Sequence, residues 1–312
     1  GLVRGGKAIF YTTLLIELLG AFLSFPVFFR DYPLPRAIGL SLFHSVASFN
    51  NSGFDVLGNG TSLIPYQKDV FLNLVTCALV IAGGIGFPVI FELPQKHFSW
   101  KRLSMHTRVV LSTTFALLLF GTLLLKLTEN ISWLGAFFYS VSARTAGFST
   151  YNLGDFSTAG LLVVSGLMFI GASPASTGGG IKTTTVFVLL SGIYSAATNH
   201  SERAFHSAIP KDAFRKASVI SMLAVFLVMT ASYLMLIFDP QLSLRDVLFE
   251  MISAFSTSGL STGITSQLSA QSRILSIIMM YIGRLGPLTV ASLWYFTIGE
   301  RVRYPEGTIA IG

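Results

Sequence analysis

The chain has 312 residues, of which 52% are apolar and 11% charged, about half the charged share of a soluble domain. That balance excludes an ordinary water-soluble globule. The net charge of +7 sits between apolar runs and reads as a topology signal rather than a nucleic-acid surface. The first long apolar window is "AIFYTTLLIELLGAFLSFPVFF" (8–29), followed by "VFLNLVTCALVIAGGIGFPVIF" (70–91) and "VVLSTTFALLLFGTLLL" (109–125). Roughly 20 such residues cross the hydrocarbon core, so each reads as one span. A buried soluble helix would account for any one window but not for the series. The fold class expected is an all-α integral membrane protein.

Lys7, Lys96, Lys101, Arg102, Arg215 and Lys216 crowd one set of span ends, whereas Arg30, Lys68, Arg245 and most acids lie at the other. The positive-inside rule then places both visible termini in the cytoplasm. No cleavable signal peptide is visible, and the opening "GLVRGG" reads as a cut through a longer protein or a processed one. Cys77 lies in an apolar window and excludes a disulfide within the chain. The five histidines have no metal-ligand spacing; His97 and His106 lie in a basic loop where a solvated face is expected.

The first, third and fifth long spans are each followed by a short polar and aromatic stretch. These read "HSVASFNNSGFDVLG" (44–58), "FYSVSARTAGFSTYN" (138–152) and "EMISAFSTSGLSTGI" (250–264). Each has a helix-like segment too short to cross a bilayer. Each then places an amide or hydroxyl side chain two positions before a glycine: Asn51–Gly53, Thr145–Gly147 and Thr257–Gly259. Non-helical backbone at membrane depth is tolerated only where protein buries it or water lines it. A re-entrant helix points its negative dipole end at such a turn, and a glycine there lets successive carbonyls face inward, as a cation path needs. Ordinary external turns would explain the glycines but not the helix-like stretches before them.

Five segments, "SARTAGFST" (142–150), "STGGGIKTTT" (176–185), "SAFSTSGLSTGIT" (253–265), "MYIGRLGPLT" (280–289) and "YPEGTIAIG" (304–312), resemble the membrane subunits of the Trk/Ktr/HKT superfamily of potassium transporters, most closely the bacterial Ktr type. The resemblance covers essentially the whole chain. It implies tandem M1–P–M2 units (span, re-entrant pore helix, span) around a central pore in a bacterial plasma membrane. It further implies a filter formed by Asn51, Ser52, Gly53, Thr145, Ala146, Gly147, Thr257, Ser258 and Gly259, with K+ as the ion carried, Na+ as a second candidate and no other metal. The implied partners are a second copy in a homodimer, a cytoplasmic ring of nucleotide-binding regulatory subunits and membrane lipid, with no nucleic acid. The family pattern has four units. Three are seen here, 1–104, 105–213 and 214–312, which match the family's second to fourth, so the first is expected to be missing from this sequence.

In the middle unit the second span begins near Thr158 and resumes at "TTTVFVLLSGIYSA" (183–196), about 58 Å if it were one helix. Pro174 and Gly178–Gly179–Gly180 mark the break. The stretch imitates a phosphate-binding loop, but Ile181 stands where that motif needs glycine before Lys182. Nucleotide hydrolysis is therefore not expected, and no enzyme is inferred. Residues 173–185 read instead as an intramembrane gate beneath the filter. Lys182 is a candidate gate residue, with snorkelling to the interface as the alternative. In the family an arginine in the "YIGRLGP" motif lies beneath the filter, which makes Arg284 the second gate candidate, with a carboxylate partner in the bundle as its alternative. Glu17 is the acid available for such a pair. Arg144 is read equally as a tuner of the outer mouth or half of a salt bridge. Loops 93–107 and 197–214 are candidate regulatory docking surfaces, and "PEGTIAIG" is expected to pack. The competing function class is an ion-coupled secondary transporter with broken helices, which predicts inverted repeats.

Overall fold

A computed structural model describes residues 2–289 apart from 56, 59, 200–202, 206, 211 and 288. Its α-helices form three consecutive sets, each with a long helix, a short helix that stops inside the bundle, and a returning helix. The first set is α1 (Leu2–Asp31), α2 (Leu34–Phe49) and α3 (Val70–Ile85), continued by α4 (Phe87–Gln95). The second is α5 (Met105–Thr128), α6 (Trp133–Ser142) and α7 (Thr158–Phe169), continued beyond a loop by α8 (Thr183–Thr198). The third is α9 (Ala213–Phe238), α10 (Leu244–Ser256) and α11 (Ala270–Leu285). This is the M1–P–M2 arrangement.

The helix starts are written in the sequence. Asp69, Ser104, Ser132, Ser157, Ser243 and Ser269 each accept a hydrogen bond from a backbone N–H in the first turn of the helix that follows. Each such cap stabilises its helix by about 1 kcal/mol. Residues Gly5–Asp31, Met105–Thr128 and Ala213–Phe238 are long and apolar enough to cross a membrane. Leu15, Phe22, Leu127 and Met222 on these helices are exposed, as lipid-facing side chains should be. The intervening α2, α6 and α10 have 16, 10 and 13 residues. Their inner faces are packed rather than lipid-facing, with Phe49, Phe138, Tyr139 and Phe255 fully enclosed.

One expected span is not straight. The window 70–91 breaks at Gly86, and α4 leaves α3 at 98°. Gly86 has φ +90°, which ends the helix, and the following Phe87 precedes a proline, which also disfavours helical backbone. α11 ends the same way, at Gly286 with φ +91° before Pro287.

The sets associate in chain order. α3 packs on α6, and α7 packs on α10, so each returning helix supports the short helix of the next set. Within a set, a short-helix hydroxyl bonds back to the long helix: Ser45 Oγ donates to the Glu17 carbonyl at 2.6 Å and Ser140 Oγ to the Leu118 carbonyl at 3.0 Å. A Cβ on Gly20 or Gly121 would overlap these same hydroxyls. Cys77 is buried among apolar neighbours. The tail 304–312 lies outside the described residues.

Candidate functional site

The C-termini of α2, α6 and α10 converge on three turns of one design. Asn51 and Gly53 have φ of +50° and +60°, Thr145 and Gly147 +80° and +85°, and Thr257 and Gly259 +54° and +84°. The intervening Ser52, Ala146 and Ser258 are not left-handed. Left-handed backbone at Asn51, Thr145 and Thr257 costs about 1–3 kcal/mol each, and such strain is retained where the surroundings impose it. The turns lie side by side. A Cβ on Gly53 would overlap the Ala146 carbonyl oxygen, and one on Gly147 the Ser258 carbonyl oxygen. Glycine is therefore required twice over at both positions, by dihedral and by neighbour. Among the described residues Gly259 has no such neighbour: a Cβ there would meet nothing nearer than Gly147 Cα at 4.0 Å. A cavity of about 430 Å³ opens on this side, with Ser52 of the first turn and Thr257 and Gly259 of the third on its wall. The turns thus form a contiguous series, first against second and second against third, which ends at Gly259 among the described residues. All nine filter candidates lie within it.

Against these turns runs the segment joining α7 to α8. α7 ends at Phe169, ahead of Pro174, and the chain folds back so that Ile170 and Ile181 form a parallel bridge. Gly178 and Gly179 approach the filter turns so closely that a Cβ on the first would overlap Thr145 Oγ1, and one on the second would lie 2.5 Å from Thr257 Oγ1. Thr177 touches the first set. Its Oγ1 donates to the Phe49 carbonyl at 3.2 Å and the Gly83 carbonyl at 3.1 Å, and its N–H also donates to the Gly83 carbonyl. One short segment therefore contacts the turn or pore-helix end of all three sets. The Phe49 bond also satisfies a carbonyl left without a partner at the end of α2.

The two gate-candidate cations are tied to this segment. Lys182 Nζ donates to the Gly178 carbonyl at 2.8 Å, and an Arg284 guanidinium N–H donates to the Thr177 carbonyl. Lys182 therefore turns into the loop rather than snorkelling away. The carboxylate alternative for Arg284 is not realised among the described residues. Two other candidate ion pairs are not formed among the described residues. Glu17 accepts from Asn50 Nδ2 at 2.7 Å rather than from a base, because the amide at the end of α2 lies nearest it. Arg144 is buried, and its recorded polar contact is Thr114 Oγ1 at 3.5 Å, with no carboxylate partner among the described residues. Its position at the C-terminal end of α6 offers the helix dipole as partial compensation.

Sequence reasoning missed Thr177, whose side chain ties the loop to the first set, and the glycines that seat the pore helices. A Cβ on Gly83 would overlap the Phe49 carbonyl, and one on Gly283 the Phe255 carbonyl. The available signal was the recurrence of "GGIGFP" (83–88) as "GRLGP" (283–287).

The model of the TrkH family, described as cation transport protein, matches residues 6–129 and 103–296. The chain belongs to the TrkH family. It is 34% identical to the Ktr system potassium uptake protein D of Bacillus subtilis, covering 100% of this chain and 72% of that protein. It is 36% identical to the Ktr system potassium uptake protein B of Vibrio alginolyticus, covering 87% and 62%, and 34% identical to the potassium/sodium uptake protein NtpJ of Enterococcus hirae, covering 96% and 69%. Its fold matches the crystal structure of the potassium transporter TrkH from Vibrio parahaemolyticus with a TM-score of 0.75 at 17% identity, over 94% of this chain and 64% of that one. The chain thus spans about two thirds of the length of these relatives. With its family and apolar helices, this TrkH-family chain is a multi-pass membrane protein.

Proposed function

We propose that this chain is the ion-translocating part of a bacterial potassium uptake system, with K+ passing through the three glycine turns and residues 173–185 acting as the gate. One observation carries the reading: the Thr177–Gly179 segment lies against the turns or pore-helix ends of all three sets at once. A backbone segment there obstructs a path that its own small residues are able to reopen. Carbonyl oxygens in the turns replace water around a dehydrated cation. Gly178–Gly180 allow the loop to rearrange, while Lys182 and Arg284 place positive charge beneath the filter and hold the loop through backbone carbonyls. The relatives named for potassium and for potassium/sodium uptake support K+ as the ion, with Na+ as a second one.

In this reading residues 1–104, 105–213 and 214–312 are three of four units, and a fourth turn, from the same chain or another, closes the ring at Gly259. Both termini face the cytoplasm, the assembly is a homodimer, and a nucleotide-binding subunit ring engages the cytoplasmic loops. The three sets run in one orientation, which disfavours the inverted repeats of a broken-helix secondary transporter.

Rubidium uptake into vesicles containing the full-length protein, with and without Gly147→Ser, tests the reading. Selective uptake that Gly147→Ser abolishes is expected. Unchanged selectivity in the variant would overturn the filter assignment.

A further inference from the structure

Counted back equally from the turn glycine, three different side chains occupy one place on the short helices: His44 on α2, Phe138 on α6 and Glu250 on α10. The first two bind the bundle together. His44 Nε2 shares a hydrogen bond with Thr76 Oγ1 of α3 at 2.8 Å, and its ring lies 5.3 Å from that of Phe148, which follows the second turn glycine. Phe138 is enclosed in the same apolar cluster as Phe148. Glu250 instead turns to its own chain. Ser261 Oγ donates to Glu250 Oε2 at 2.9 Å, and Thr265 Oγ1 donates to Oε1 at 2.6 Å. The two hydroxyls are 2.8 Å apart, and the Gly263 N–H donates to Ser261 Oγ at 3.0 Å.

Glu250 is buried, only 8% exposed, while Ser261 is half-buried and Thr265 exposed on the cavity wall. Burying a carboxylate is unfavourable unless its oxygens are hydrogen-bonded, and here each oxygen accepts one charge-assisted bond. The basic residue on the same cavity wall, Arg273, donates to the Ser266 carbonyl, and no ion pair with Glu250 is present among the described residues. The carboxylate therefore grips residues 261–265, the segment leaving Gly259. Among the described residues Gly259 itself lacks the neighbouring carbonyl that confines Gly53 and Gly147. The third turn meets the second through the Ser258 carbonyl, and beyond Gly259 it is bracketed to its own helix.

We infer that Glu250 is a positioning residue for ion selectivity, bracing the third filter turn through Ser261 and Thr265. The inference rests on the potassium-path reading above. A carboxylate suits the place because it accepts at both oxygens. A glutamine must present its amide nitrogen to one of the hydroxyls.

The test is rubidium uptake into vesicles containing the full-length protein, competed with K+ or Na+, for wild type, Glu250→Ala, Glu250→Gln and the double variant Ser261→Ala/Thr265→Val. Glu250→Ala is expected to lose about tenfold in K+-over-Na+ discrimination, the order set by a hydrogen bond to a charged group. Glu250→Gln should recover part of it, and the double variant should match Glu250→Ala, all with the wild-type thermal midpoint in detergent. Wild-type discrimination in both Glu250→Ala and the double variant would overturn the role. If Glu250→Ala does not fold, the double variant decides alone: lost discrimination supports the bracket and retained discrimination overturns it. Wild-type vesicles that show no selective uptake would overturn the potassium-path reading, and this role with it.

Discussion

The three filter turns and the α7–α8 segment lie in contact yet are built on opposite principles. The turns repeat one solution three times: a short helix, a left-handed amide or hydroxyl residue, and a left-handed glycine. The segment occurs once. Its difference from the other two returning helices reduces to what each seats at a glycine. Gly83 receives the Phe49 carbonyl and Gly283 the Phe255 carbonyl, both from their own pore helices, whereas Gly171 receives the Gly179 carbonyl from the segment itself. In the middle set the chain has folded a piece of its own backbone into the place a pore-helix end occupies elsewhere. The turns are fixed by carbonyl-to-glycine contacts that no side-chain motion relieves. The segment is held by backbone bonds, from the Ser173 N–H to the Gly84 carbonyl and the Phe87 N–H to the Ala175 carbonyl, and by side-chain bonds to carbonyls from Thr177, Lys182 and Arg284, which water or an ion is able to replace.

Breaking the rigid half should have the largest effect. Gly147→Ala places a methyl on the Ser258 carbonyl and forces a residue with a side chain to φ +85°. The conformation alone costs about 1–3 kcal/mol, and the overlap shifts the third turn. Rubidium uptake should fall to background and the thermal midpoint should drop. Wild-type uptake would show that the turns are not the path. Gly283→Ala comes next, because its methyl meets the Phe255 carbonyl and carbon, which are backbone and cannot rotate away. An overpacked site of this kind typically costs about 1–3 kcal/mol. The expected readout is a lower thermal midpoint with ion selectivity kept in whatever folds, and an unchanged midpoint would refute the seating role.

Loosening the movable half should change rate rather than folding. Arg284→Ala removes the side-chain bond to the Thr177 carbonyl, and Thr177→Val removes the bonds to Phe49 and Gly83. A hydrogen bond is worth about 0.5–1.5 kcal/mol net, so a shift of a few-fold in the open fraction is expected for each. Uptake in the absence of any activating condition should rise in both. Equal uptake in wild type and both variants would remove the segment from gating.

What was legible in the sequence divides along the same line. The repeat was readable because three turns need the same backbone, and only glycine supplies it at each. The broken helix was readable because Pro174 and three consecutive glycines oppose helix over residues that otherwise look like a span. The bend at Gly86 was not read, since one glycine inside "GGIGFPVIF" leaves the apolar pattern intact while its positive φ redirects the chain by 98°. Thr177 was missed because its importance lies in which carbonyls surround it, and those come from Phe49 and Gly83, far away in sequence. The ion-pair alternatives for Glu17 and Arg144 are not realised among the described residues for a related reason: charge suggests a counter-charge, whereas packing brought Asn50 to one and Thr114 to the other.

The smallest expected effect sharpens the comparison between α7 and the segment that follows it. Gly166 lies five residues before Gly171, on the exposed face of α7, and a Cβ there would meet nothing within 4 Å. Gly171 is conformationally committed to the Gly179 carbonyl, while Gly166 faces the surface of this chain. Alanine in a helix interior is favoured over glycine by about 0.8–1 kcal/mol, so Gly166→Ala should leave uptake unchanged and raise the thermal midpoint slightly. Gly171→Ala should lower both. If Gly166→Ala instead lowers the midpoint, the space beside it is filled by something packed closely against α7 that is not among the described residues. The pair of substitutions therefore separates a glycine that serves the ion path from one that serves only the helix or a neighbour.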